Sequence, residues 1–176
     1  MLAEKFLREE LNKFAKYVIQ QSRSNLTKGK KNTSKELYNS LGYDIESSKD
    51  STSMAFKMAD YGKFQDLGVK GKDSSAKAPN SPYKFGTGSG KKGGLTKGID
   101  KWVRRRGIQF RDKKGRFLSY EQTGYIITRS VYKTGMKASM FFTKPFERAF
   151  KRLPDDLVKA YSIGIEKQIQ INIKEK

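Results

Sequence analysis

Between residues 70 and 94 the chain runs KGKDSSAKAPNSPYKFGTGSGKKGG, without a single Leu, Ile, Val or Met. Its only bulky apolar groups are Tyr83 and Phe85. Such a composition cannot bury enough surface to offset the entropy of its own ordering. The tract reads as a flexible Gly/Ser/Lys-rich loop inserted in one domain spanning 1–176. Loops of this length are uncommon unless they are functional or disordered.

The flanks carry regular patterns. Over 3–23, Leu7, Leu11, Phe14 and Val18 recur at four- and three-residue steps, with Glu9, Glu10, Lys13 and Lys16 between them. That is the periodicity of an amphipathic helix, and a basic loop over 25–32 follows it. Thr33 or Ser34 can cap a short second helix bearing Leu37, Tyr38 and Leu41, ended by Gly42. Residues 43–46 and 53–59 alternate apolar and polar, as two strands joined by 47–52 do. Tyr61, Phe64 and Leu67 then lead to Gly68. Beyond the tract, 95–106 predicts a helix with Leu95, Ile99, Trp102 and Val103 on one side. A turn at 112–115 separates Phe110 from Phe117. A further helix over 119–134 turns Tyr125, Ile127, Val131 and Tyr132 inward, with Gly135 as its C-cap, and 136–143 is irregular. Pro145 starts a short helix to 151. Pro154, with Asp155 and Asp156 in the first turn, opens the last one. Leu157, Tyr161, Ile165 and Ile169 follow at four-residue steps, although Ile169, Ile171 and Ile173 fit a strand as well.

The net charge is +20, from 38 basic and 18 acidic side chains. Residues 51–120 hold seventeen of the former and five of the latter, so the middle of the chain carries more than half of the excess. Lys91 and Lys92 form one cluster, and Arg104, Arg105, Arg106, Arg111, Lys113, Lys114 and Arg116 the other. An excess of this size points to a polyanionic partner. The second cluster suits nucleic acid, whose phosphates Arg and Lys neutralise without reading sequence. An acidic protein surface or solubility alone accounts for it too, and cations favour a helix C-terminus in any case.

The chain has neither Cys nor His, which excludes a thiol nucleophile, a disulfide framework, a Ser-His-Asp triad and ordinary zinc sites. A reducing cytoplasm suits it. The run Gly86-Thr87-Gly88-Ser89-Gly90-Lys91-Lys92 lacks the spacing of a phosphate-binding loop. Asp60, Asp66, Asp73, Asp100 and Asp112 are scattered, with no set of nucleophile, base and stabiliser. The expectation is a protein without catalysis, cofactor or metal. No apolar run approaches the roughly 20 residues of a membrane span, so no membrane is expected as partner.

Several segments, read in order, resemble the tail-completion or tail-terminator components of tailed bacteriophages, which sit at the head–tail junction. They are the helix Ser34-Lys35-Glu36-Leu37-Tyr38-Asn39-Ser40-Leu41, the element Tyr61-Gly62-Lys63-Phe64-Gln65-Asp66-Leu67-Gly68, and the stretch 129–135 (RSVYKTG). The last is Gly135-Met136-Lys137-Ala138-Ser139-Met140-Phe141-Phe142-Thr143-Lys144-Pro145-Phe146. Tyr61, Phe64, Asp66, Gly68, Gly135, Ala138, Phe141 and Pro145 match the family's structural motifs. Asp66 stands for a usual Glu, Val69 for a frequent Thr, and Met140 for a Pro.

The resemblance implies an α+β fold, with a small, mostly antiparallel sheet packed against the N-terminal helix and further helices. It also implies a structural virion protein without an active site. As a ring of six copies, or of twelve, it would meet other neck, connector or tail-tube proteins and let DNA pass through its centre. Assembly would take place in the host cytoplasm. The alternative from composition is a non-sequence-specific nucleic-acid-binding protein of a mobile element.

Overall fold

The computed structural model describes residues 2–48, 51–88 and 93–174. Within them the chain is α+β, as the resemblance implies: seven helices and two antiparallel sheets of two strands each. It divides into two compact units, Met1–Ala59 with Phe141–Lys176, and Asp60–Met140.

The first unit is organised by α1 (Leu2–Lys28). Phe14, Ala15, Val18, Ile19, Ser22 and Leu26 are its buried residues, at the three- and four-residue steps of one helix face. The Ser22 hydroxyl is satisfied locally, donating to the Val18 carbonyl at 2.7 Å. The helix outruns its expected end at 23 and takes in part of the supposed loop. Leu26, wholly buried, extends the apolar row by another turn, and its burial outweighs the polar residues around it. Lys30 closes the helix at φ 54°, with its Lys31 amide bonded to the Leu26 carbonyl.

The short α2 (Glu36–Ser40) is preceded by Lys35 in the left-handed region, with no side-chain cap, so neither Thr33 nor Ser34 has the capping role. Strands β1 (Gly42–Ser47) and β2 (Thr52–Lys57) pair from Gly42↔Lys57 to Ser47↔Thr52. Alternation along β2 leaves Ser53, Ala55 and Lys57 exposed and half-buries Met54 and Phe56. Phe56 then meets a cluster of rings. Phe14 lies 6.1 Å from it, Phe142 5.2 Å and Phe146 5.9 Å, all edge to face, the arrangement aromatic quadrupoles favour. Phe146 belongs to α6 (Thr143–Phe150).

The last helix of this unit, α7 (Leu153–Lys174), continues through 169–173 as helix and not strand. Among its described side chains Leu153 and Ala160 are buried, whereas Tyr161 and Ile165 are 49% and 39% exposed. Leu153 joins Phe14 and Val18 of α1 in the core, and Leu157 packs against them. The four-residue row is therefore turned inward at Leu157 and outward at Tyr161 and Ile165.

The second unit begins with α3 (Gly62–Leu67) and β3 (Val69–Lys70), which pairs with β4 (Gly135–Met136). Helices α4 (Gly94–Arg106) and α5 (Tyr120–Thr134) pack against each other. Gly124 lets the two approach closely, a Cβ there standing 3.7 Å from the Asp100 Cα. Val103, Thr123 and Gly124 are buried, while Trp102 is 39% and Tyr125 63% exposed. The inward positions expected of Trp102, Tyr125 and Tyr132 are corrected accordingly. Residues 70–88 hold no helix, yet their backbone has partners. The Lys70 amide bonds to Tyr83, Phe85 to Lys70 and Gly71 to Ser74. Ala78 and Ser81 are buried, and the Ser81 hydroxyl donates to the Gly68 carbonyl at 2.7 Å. Residues 89–92 of the tract lie outside the described residues.

The Phe cluster gives a direct test of the first unit. Phe14→Ala should cost about 3–4 kcal/mol in urea denaturation, and Tyr17→Ala, on the exposed side of the same helix, less than about 1 kcal/mol. Similar small losses for both would mean that the rings do not form the core.

Candidate functional site

Two sets of residues were singled out by the sequence, the motif positions and the basic cluster. The structure builds each of them into a definite local arrangement.

Five of the eight motif positions, Phe64, Asp66, Gly68, Gly135 and Ala138, lie in or beside the pairing of β3 with β4. Phe64 of α3 packs its ring against Tyr83 at 4.6 Å, edge to face, and Asp66 is buried. The Gln65 carbonyl accepts from the Ser139 hydroxyl at 2.6 Å, and the Asp66 carbonyl from the Met140 amide at 2.9 Å. Gly68 and Gly135 both have positive φ, 73° and 84°. A Cβ at Gly68 would stand 2.6 Å from the Ala138 nitrogen, and one at Gly135 would stand 2.4 Å from the Val69 carbonyl oxygen. Gly71, which the sequence reading passed over, is tighter still, at 2.0 Å from the Lys133 carbonyl. Close backbone approach requires glycine at all three, and conformation requires it also at Gly68 and Gly135.

Met140, where the related motif has Pro, sits at φ 51° and uses its amide as a donor. Proline can do neither, so the departure in sequence has a counterpart in backbone. Tyr61 precedes α3 at the surface, and Phe141 and Pro145 are buried in the first unit.

The basic cluster occupies the end of α4 and the hairpin that follows. Gly107, in the left-handed region, caps α4 and turns the chain. Residues 110–118 then double back, with Arg111 bridged to Phe117 and the Leu118 amide bonded to the Phe110 carbonyl at 2.8 Å. The base of the hairpin is pinned by the buried Thr123, whose hydroxyl accepts from the Phe110 amide at 3.2 Å, and by Gln109, which donates to the Leu118 carbonyl. α5 starts from Ser119 with a complete capping box through Gln122. The Ser-x-x-Gln spacing could have been read from the sequence; nothing in the sequence marks Thr123 as an anchor.

Asp112 organises the tip. One of its oxygens accepts from the Lys114 and Arg116 amides at 2.8 and 2.9 Å, and the other from the Arg116 guanidinium at 3.0 Å. The Arg116 amide foremost, with the Arg116 guanidinium and Lys114 amide, holds the Asp112 carboxyl below its usual range. Arg104 is paired with Asp100 at 3.0 Å. Arg111 lies over the Phe117 ring at 4.2 Å and donates to the Gly115 carbonyl. Arg105, Lys113 and Lys114 are exposed. The cations are thus unequal, with some already answered within the segment. Lys91 and Lys92 lie outside the described residues.

An open groove of about 790 Å³ in the first unit is lined by Lys16, Arg23, Lys28, Tyr38 and Tyr43 among others. Arg23 is committed there, donating to the Tyr38 and Leu41 carbonyls at 3.2 and 3.0 Å. Among the described residues no group of three or more acidic side chains could hold a metal ion, and no helix is long and apolar enough to cross a membrane. Comparison with protein-family models, with curated proteins and with solved structures finds no match for this chain.

Two outcomes are expected. Gly135→Ala should destabilise the chain by more than about 2 kcal/mol through clash and strain, whereas Gly98→Ala, an exposed α4 position with open space around it, should stabilise by about 0.5–1 kcal/mol. Equal effects in urea denaturation would count against the close crossing. Asp112 should titrate below the ordinary aspartate value of about 3.9, as followed by NMR. A depressed folded pKa contributes stability that is present above the unfolded value and lost as pH falls through the folded one. Protection of the Lys114 and Arg116 amides, measured against their intrinsic exchange rates, should therefore fall on acidification through that range. A midpoint at or above the ordinary value would contradict the lock.

Proposed function

We propose that this chain is a structural virion protein of a tailed bacteriophage. It acts as a ring-forming tail-completion, terminator or neck component at the head–tail junction, through which DNA passes. The observation that carries the reading is the junction of β3 with β4. Two of the segments that bear the resemblance, 61–68 and 135–138, are distant in sequence and interlock there through Gly68 and Gly135. The charge of +20 suits a protein that works beside DNA.

The reading assigns the chain a mechanical part and no catalytic step. Identical copies, six or twelve, contact one another head to tail and close a cyclic ring. The ring joins connector and tail-tube proteins, after assembly in the host cytoplasm.

Sedimentation velocity and negative-stain imaging of the purified chain at rising concentration should show closed rings. Mass spectrometry of purified particles should find the chain in tails or necks. A chain that stays monomeric and is missing from particles overturns the proposal in favour of a free nucleic-acid-binding protein.

A further inference from the structure

We infer that the hairpin tip bearing Lys113 and Lys114, with Arg105 on the end of α4, is a contact surface for the phosphate backbone of duplex DNA, engaged without reading its sequence. The surface is built before any partner arrives. Gly107 turns the chain out of α4, Thr123 and Gln109 pin the base of the hairpin, and Asp112 locks its turn. The inference needs no ring and stands apart from the virion reading.

The chemistry selects among polyanions. An acidic protein is disfavoured because interface cores are depleted in lysine, and this tip offers two exposed lysines on flexible stems. A single strand is bound chiefly by free aromatic faces that stack successive bases. Phe117 is 61% exposed, but the Arg111 guanidinium already lies over its ring. Every residue from 113 to 117 is exposed, so the cations stand on a projecting turn and not inside a groove. A projecting two-stranded ribbon has the width that the major groove of duplex DNA admits, with phosphates on both sides.

Indifference to sequence follows from the same geometry. Base reading relies on side chains that can present a fork to base edges, most often arginine to guanine. Arg104 and Arg116 each commit their Nε edge to a carboxylate, of Asp100 and of Asp112, at 3.0 Å, and two of the three cations of the surface are lysines. The lysines act as point charges, which position a duplex without specifying it.

The test uses the full chain and a fluorescent 30-base-pair duplex of mixed sequence, followed by anisotropy from 50 to 200 mM NaCl. The triple variant Arg105→Gln, Lys113→Gln, Lys114→Gln should lose roughly tenfold or more in affinity at 100 mM, and its salt slope should shrink by about 2–3, close to 0.9 per lost phosphate contact. A control with equal charge loss, Lys151→Gln, Arg152→Gln, Lys159→Gln in the first unit, should stay within about threefold with its slope unchanged. A second duplex of unrelated sequence should bind alike, and a single strand of the same length more weakly. Circular dichroism melts check folding. Should the triple variant melt early, the single reversal Lys114→Glu takes its place, with the same direction expected.

Equal losses in the two triples would mean that total charge and not this surface binds, and would overturn the inference. So would an undiminished affinity in the hairpin triple, a single strand bound as tightly as the duplex, or polyglutamate bound in preference to DNA. Absence of the chain from phage particles would sink the virion reading and leave this one untouched.

Discussion

The second unit depends on a place where there is no room for side chains. Gly68, Gly71 and Gly135 bring the backbone at 68–71 against the backbone at 133–138 so closely that a Cβ on any of them would fall 2.0–2.6 Å from a main-chain atom. Two residue pairs of β-ladder form there, Val69↔Met136 and Lys70↔Gly135. So short a ladder is weak by itself. It is reinforced by bonds from the Ser139 hydroxyl and the Ser139 and Met140 amides to the carbonyls of Gln65 and Asp66. Side-chain-free contact makes the arrangement intolerant: even a methyl group must push backbone against backbone.

That crossing also explains what happens to the aliphatic-free tract. Its composition offers no core, and by composition alone a flexible loop was the sound expectation. Partners come to it instead from the crossing. Lys70 bonds to Tyr83 and Phe85, Ser81 to Gly68, and Ala78 is buried where a Cβ on Gly68 would come within 2.9 Å of its own. Tyr83 then packs on Phe64 and Phe85 on Tyr132, with centroids 4.6 and 5.9 Å apart. Two rings and two small residues give residues 70–85 contacts that no count of apolar side chains would reveal.

Periodicity made the helices legible. The repeats of 3–23, 95–106, 119–134 and 154 onward all correspond to helices, and the alternation of 43–46 and 53–59 to a paired hairpin. What periodicity hid was which side faces inward. In α5 Tyr125 and Tyr132 were expected inside, whereas Thr123 and Gly124 are buried and Tyr125 lies out; along the four-residue row of α7, Leu157 packs on the core and Tyr161 lies out. Hydrophobicity names the residues worth burying, but helix separation decides which of them fit, and separation is not written in a single helix. In the basic cluster the charges were plain from the sequence. The pairing of Arg104 with Asp100 follows from i,i+4 spacing on a helix and could have been read there, whereas that of Arg116 with Asp112 depends on the turn between them. The anchoring of the hairpin on Thr123 could not, because it depends on where α5 packs.

The inequality among those cations bears on how a protein can touch DNA that has to move. A bidentate guanidinium holds a phosphate by two directed bonds and resists exchange. On this segment Arg104 and Arg116 each give their Nε to a carboxylate, of Asp100 and of Asp112, and Arg111 is laid on Phe117 while donating to Gly115. At the turn itself Lys113 and Lys114 stand exposed beside Arg116, and a lysine is a strongly hydrated point charge on a flexible stem, which can pass from one phosphate to the next with little change in energy. Contact of that kind depends on counterion release and lets proteins slide along a duplex. In the proposed conduit, strong guanidinium grips facing the DNA would oppose its passage. Guanidinium groups tied in part to carboxylates, beside exposed lysines, would let a chain of charge +20 guide such a duplex without holding it.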